Sequence, residues 1–425
     1  MSTNNDTRQR VEAGLRRRYL KESIFRFFGR AATLVGITFL VVFFWTLIAQ
    51  GSSAFVQSYI ELEIEFSPEV LAPAGELDIE YADYDVLVRN ALREKFPDVT
   101  ERRERQQLSR LVSIGAGFAL RDKLEEDPSL LGREATVVVP TSADVDMVVK
   151  GNIDRTIDEA QRQLSDQQLG WIDRLLADGS IVKRFNHALF ENGDSREPEL
   201  AGIRGALMGS FYMLIVTIVI AFPIGTAAAI YLEEFAPRNR WSDLIEVNIN
   251  NLAAVPSIVY GLLGLAVFIN WIGLPRSAPL VGGLILALLT LPVIIIASRA
   301  AIKAVPPSIR EAALGVGASK MQVVAHHVLP LALPGMLTGA IIGMSRALGE
   351  TAPLLMIGMV AFIVDVPGGF SDPATALPVQ IYLWADSPER AFAERTSAAI
   401  IVLLGFLLVM NLVAVIMRKR VERQW

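Results

Sequence analysis

Arg346 and Glu350 stand four residues apart inside the apolar run 335–363, with Ser345 and Thr351 beside them. On a helix that spacing puts both charges on one face, so forked guanidinium donors and a carboxylate acceptor would meet within a turn. Each charge costs about 2.5–3.5 kcal/mol in an apolar span, and such residues usually mark the path of a polar solute. A self-neutralising structural pair is the alternative. Pro353 cannot donate to the Gly349 carbonyl, so the helix is expected to loosen beside the pair. Pro223 and Pro256 are expected to disrupt two further spans in the same way, which would set broken helices around a midplane.

Bond-making chemistry has little to work with here. There is no cysteine, hence no thiolate nucleophile, thiolate metal site or disulfide, and only three histidines. His326 and His327 are adjacent, which on a helix sends them to different faces, so a shared metal is not expected. No Gly-x-x-x-x-Gly-Lys-Ser/Thr phosphate loop occurs, including around Gly317 to Lys320. The chain is therefore expected to be no enzyme and to hold no cofactor of its own.

A second pattern could transmit motion. Glu311-Ala312-Ala313, Gly317 and Leu329-Pro330 lie in a basic segment between two apolar runs. Ser308 with Glu311, and Ser319 with Gln322, both have capping-box spacing, so the segment reads as helix, glycine hinge, helix, then Leu329-Pro330. The same unit could also be a plain connector.

The elements that must position these residues follow from the distribution of apolar and charged residues. The chain of 425 residues is 52% hydrophobic, and its apolar residues cluster in six blocks near 31–49, 206–231, 252–271, 279–298, 335–363 and 398–416. Each approaches or exceeds the ~20 residues that cross a bilayer core as helix. The first is too long for a signal h-region, and no small-residue cleavage site follows Gln50. Residues 1–30 are rich in arginine and lysine, and the tail carries Arg418, Lys419, Arg420 and Arg423. Both termini and the segment 299–334 are accordingly expected on the cytoplasmic side. Loop 232–250 fits that rule less well, because Glu233, Glu234, Asp243 and Glu246 outnumber Arg238 and Arg240.

Between the first two spans, residues 51–200 carry 17 Lys and Arg against 30 Asp and Glu, within a chain of net charge −5. This is a domain-sized unit, expected outside the membrane on the side away from the cytosol. Glu61 to Phe66 alternates as a strand, Ala135 to Val139 is a β-branched run, and 100–126 and 166–177 read as helices, the latter capped by Ser165 with Gln168. A small α+β domain is expected. The arginines at 102, 103, 105 and 110 alternate with Glu101 and Glu104, which reads as a solvated helix face in preference to an anion patch.

Taken together, the spacing Glu311-Ala-Ala, Gly317, Leu329-Pro330 resembles the cytoplasmic coupling loop of bacterial ABC importer permeases, with His327 where the family usually has Ile. Ala229-Ile-Tyr-Leu-Glu-Glu-Phe-Ala236, Asn251-Leu-Ala-Ala-Val-Pro-Ser-Ile-Val-Tyr-Gly261 and Arg346-Ala-Leu-Gly-Glu-Thr-Ala-Pro-Leu-Leu355 resemble the A-type permease subunit of Pst phosphate importers. The likeness covers about 200–425. It implies a type I importer permease fold with six transmembrane helices in a bacterial inner membrane: 31–50 as the first, and 201–425 as a core holding coupling helices at 306–330. It also implies a homologous C-type permease, two copies of a soluble ATPase that binds ATP and Mg, and an extracytoplasmic protein that delivers inorganic phosphate. Arg346, Glu350, Ser345 and Thr351 would then line the substrate path. Glu311, Ala312, Ala313, Gly317, Leu329 and Pro330 would couple to the ATPase. Sulfate or molybdate is the nearest alternative cargo, and a phosphate-responsive sensor the alternative role. The inserted domain departs from the family's commoner short first loop, and the resemblance implies nothing about its function.

Overall fold

The computed structural model describes residues 3–72 and 78–421; Arg423 of the basic tail lies outside them. The chain folds as an α-helical membrane protein with a small α+β domain inserted between its first two apolar helices. Among the described residues, five helices are long and apolar enough to span a bilayer, and a sixth is formed if one bent pair counts as a span.

The inserted domain is built on three strands, β1 (Val56–Glu65), β2 (Glu134–Pro140) and β3 (Ile181–Phe185), in the order β2-β1-β3 with both pairings antiparallel. Alternation sets the register: Ile60, Leu62 and Ile64 of β1 are buried beside Val137 and Val139 of β2, while the intervening glutamates face outward. Helices Tyr84–Lys95, Ala116–Glu126 and Asp166–Ala177 close this face with Leu87, Leu92, Leu120, Leu124, Trp171 and Ile172. The Ser165 and Gln168 capping box forms as expected. The expected single helix over 100–126 does not. It divides into Arg102–Ser109 and Ala116–Glu126, because Val112 leaves the helical path to form a bridge with Thr141.

In the membrane part, span one continues the helix Thr3–Gly51, span two is Arg204–Ile230 and span four is Pro279–Lys303. Span three is the pair Arg240–Ala253 and Ser257–Trp271, bent by 99°. Pro256 sits in the break and opens the second half with φ −57° and ψ 137°. Span five runs Lys320–Gly349, and span six is Ala391–Val421. Pro223 does not disrupt span two as expected. The helix passes through it, as it does through Pro292 and Pro334, because a membrane helix can lose one ladder bond when neighbouring helices enclose the site.

A buried charge cluster fastens the inserted domain to span six. Lys150 Nζ lies 2.6 Å from Asp146 and 2.8 Å from Glu394, and the Asn152 amide donates to the other Glu394 oxygen at 3.0 Å. Asp146 in turn accepts the Ser58 backbone N–H of β1 at 2.8 Å, and Arg395 is buried alongside. Opposed charges and hydrogen bonds offset desolvation here, and removing one partner would strand the other.

Candidate translocation path and coupling segment

Arg346 and Glu350 do meet, with Arg346 Nε donating to Glu350 Oε1 at 3.3 Å. They are not on one continuous helix, however. Span five ends at Gly349, and Glu350 is an extended cap residue with φ −78° and ψ 124°. The apolar run expected to span as 335–363 therefore breaks. Thr351 and Pro353 begin a separate short helix, Ala352–Met356, whose Leu354 and Leu355 N–H groups bond to the Thr351 carbonyl. Pro353 stands at a complete break where a loosened turn was expected, since the extended Glu350 leaves no ladder for it to interrupt.

Two broken spans meet at this point. A Cβ on Gly261, just past the Pro256 break, would lie 2.7 Å from both Cα and O of Pro353, so only glycine allows the approach. Tyr260 is buried there and donates its hydroxyl to the Leu252 carbonyl across the bend, at 2.8 Å. The Arg346 side chain is 45% exposed and that of Glu350 17%, so the pair opens to the surface of this chain. Ser345 is turned elsewhere: its hydroxyl donates to Asn411 of span six at 2.9 Å.

The coupling segment begins with helix Pro307–Gly315. Its first turn differs from expectation. Pro307 occupies the first helical position behind Pro306, leaving Ser308 inside the helix with no capping bond, because proline's fixed φ starts the helix two residues earlier. Its end is a Schellman motif: Ala318 N–H bonds to the Ala313 carbonyl and Gly317 N–H to that of Leu314, with Gly317 at φ +86°. Ser319 and Gln322 form the expected box and start the second helix. That helix does not stop before Leu329-Pro330. It runs through the π-helical turn Val324–Val328 into Leu329–Gly349, the wider turn absorbing the donor that Pro330 lacks. Ala313 is buried, Glu311 and Ala312 are exposed, and Leu314, Val316 and Met321 show apolar side chains on the surface.

Sequence reasoning missed what holds this segment. The π-helical end of span two, Tyr231–Phe235, supplies three neighbouring anchors. Glu233 pairs with Arg299 and with Lys303, Glu234 takes both Nε and Nη2 of Arg310, and Phe235 lies under Lys320 with 5.3 Å from Nζ to the ring centroid. Arg310 also donates to the Val305 and Ile302 carbonyls at 2.7 and 2.9 Å, capping the end of span four. Glu246 adds a bond to Arg299 at 2.9 Å. The misfit of acidic loop 232–250 with the positive-inside rule was the available signal, since Glu233, Glu234 and Glu246 are the counter-charges of Arg299, Lys303 and Arg310.

Residues 221–425 match the family described as binding-protein-dependent transport system inner membrane component, and residues 12–159 match a domain of unknown function, DUF3333. The chain is 39% identical over 155 residues to the probable ABC transporter permease protein YqgI of Bacillus subtilis (strain 168), a match covering 36% of this chain and 52% of that protein. Against the phosphate transport system permease protein PstA 1 of Mycobacterium tuberculosis (strain ATCC 25618 / H37Rv) it is 33% identical over 217 residues, 51% of this chain and 70% of the relative. A chain of the inward-facing MetNI methionine ABC transporter is 20% identical with a TM-score of 0.40, covering 51% of this chain and 95% of that one. The chain thus spans about half the length of YqgI and over two thirds of PstA 1. It belongs to the PstA family of phosphate transport system permeases, with an additional inserted domain.

Proposed function

We propose that the protein is half of the pore of a phosphate ABC importer in a bacterial inner membrane, with both termini cytoplasmic. It works beside a homologous C-type permease, two copies of a cytoplasmic ATPase that bind ATP and Mg, and an extracytoplasmic phosphate-binding protein. The observation that carries this reading is the Arg346 and Glu350 pair at the junction of two broken spans, open to one side of the chain. Phosphate near neutral pH keeps at least one proton on most of its population, so it accepts from a guanidinium and donates to a carboxylate. Sulfate can only accept. Arg346 supplies fixed charge and planar donors, and Glu350 selects for the proton and disfavours fully deprotonated anions. The exposed Leu314, Val316 and Met321 beside Glu311 form the ATPase-facing surface. Movement imposed there reaches span two through Glu234 and span four through Arg310, and it enters span five directly along the continuous helix from Lys320. No catalytic step is assigned to this chain.

The deciding measurement is uptake of radiolabelled phosphate in a strain whose only phosphate permease pair contains this protein. Saturable uptake that unlabelled phosphate, but not sulfate, competes away is the expected result. Equal competition by sulfate, or no uptake with the assembled complex present, would overturn the reading.

A further inference from the structure

One apolar surface of the inserted domain is left uncovered by the described residues. On the face of β1 that carries Ile60, Leu62 and Ile64 into the core, Val56 is the last position toward span one, and its register partner on β3 is Phe185. The helices that close this face leave that end bare, with Val56 37% and Phe185 51% exposed. Phe185 stacks on Phe190 with 5.7 Å between ring centroids and 5° between planes, and Phe190 stacks on Phe55 at 5.9 Å and 15°. Phe55 packs in turn against the cluster holding Leu189, Ile203, Leu377 and Trp384. The rings form a ladder fixed at one end to the membrane part.

The height of this ladder against the bilayer follows from its neighbours. A Cβ on Gly51 would lie 2.7 Å from Ile401 Cδ1 and 2.9 Å from the Ser397 carbonyl carbon, so span one ends level with the start of the apolar block of span six. One turn beyond, Glu394 pairs with Lys150 of the inserted domain, which puts the edge of the hydrocarbon core between Glu394 and Ala398. The 3-10 turn Ser52–Phe55 then joins Gly51 to β1, a rise of at most about 8 Å at about 2 Å per residue. A headgroup layer is about 5–7 Å deep on each side of a bilayer, so Phe55 and the rings stacked on it stand at that depth.

We propose that Val56, Phe185 and Phe190 insert into the headgroup and upper acyl layer of the bilayer, resting the inserted domain on the lipid beside span one. Lipid is the occupant because the surface continues that of span one, whose apolar window is only 6% buried by the rest of the chain. The basic residues of β3 are already engaged, Lys183 with the Val149 carbonyl and Arg184 with Glu61, so insertion is apolar and needs no anionic headgroup. The domain then has two attachments, the charge cluster to span six and this ladder to lipid.

Because the chain has no cysteine, a nitroxide can be placed at one ring while the others stay. Phe185→Cys and Phe190→Cys, each spin-labelled in the full-length protein in nanodiscs of neutral lipid, are expected to collide more with oxygen, which concentrates in lipid, than with a water-soluble nickel chelate. Val35→Cys on the exposed surface of span one should show the same preference, and Phe118→Cys on an exposed helix of the inserted domain the reverse. Nickel access at 185 and 190 equal to that at 118 overturns the proposal. So does shielding from both probes, alone or once the partner permease is added, since the surface would then be a protein interface. The unmodified protein gives a second readout that does not depend on how a variant folds. A phospholipid with a diazirine near the top of its acyl chain is expected, on illumination, to label residues 181–192 equally in neutral and anionic nanodiscs and to leave 116–126 unlabelled. No label on 181–192, or label that appears only with anionic lipid, overturns the proposal.

Discussion

Arg346 carries both a charge and a shape, and the two can be separated. Lysine keeps the charge but not the planar fork that reaches Glu350 through Nε. Arg346→Lys is expected to lower phosphate uptake strongly, and Glu350→Gln to reduce the rate while eroding discrimination against sulfate. If the pair is only structural, the double variant Arg346→Gln, Glu350→Gln should transport nearly normally, because a neutral pair would replace a self-neutralising one. Uptake assays on the three variants decide. The pairing itself was legible from the spacing of four. That Glu350 is a cap was not, because breaks of this kind are set by tertiary contacts such as Gly261 against Pro353. Ser345 could not be assigned from sequence for the same reason, its partner Asn411 being 66 residues away.

Helix ends were read well where the device is local and poorly where proline competes. The boxes at Ser165 and Ser319 form, since each needs only its own first turn. At Ser308 the preceding Pro307 takes the first helical position. Likewise a proline inside a span reads as a break in sequence, but Pro223 is tolerated and Pro256 is not, and only the surrounding helices decide which. Gly317 was legible because its left-handed conformation follows from ending one helix and starting another within four residues. Nothing lies within 4 Å of a Cβ built there, so Gly317→Val acts through the backbone alone. The left-handed conformation costs an ordinary residue about 1–2 kcal/mol, and a β-branched one more. Phosphate uptake and stimulated ATP hydrolysis are expected to fall while assembled protein in the membrane stays near normal. Normal values of both would show that this hinge transmits nothing.

For the molecule as a whole, hydrophobic blocks located most of the spans, but the block 335–363 is cut at Glu350 and 252–271 is only the second half of a bent pair. Alternation gave β1 and the β-branched run β2, whereas β3 (Ile181–Phe185) was missed, its five residues being too short to show a pattern. The junction between inserted domain and span six was invisible, being made by residues as far apart as Lys150 and Glu394. Lys150→Met leaves Asp146 and Glu394 short of a counter-charge in a site where both side chains are under a tenth exposed. A loss on the order of 3 kcal/mol is expected, seen as earlier thermal release and faster proteolysis of the inserted domain. Adding Glu394→Gln should recover part of it, and an unaltered melting curve for Lys150→Met would remove the cluster from the stability of the junction. The same cluster imposes an order on biosynthesis. Lys150 leaves the ribosome 244 residues before Glu394, so until span six is made Asp146 is the lysine's only acidic partner in the cluster. The cluster thereby reports whether span six is in place beside the domain.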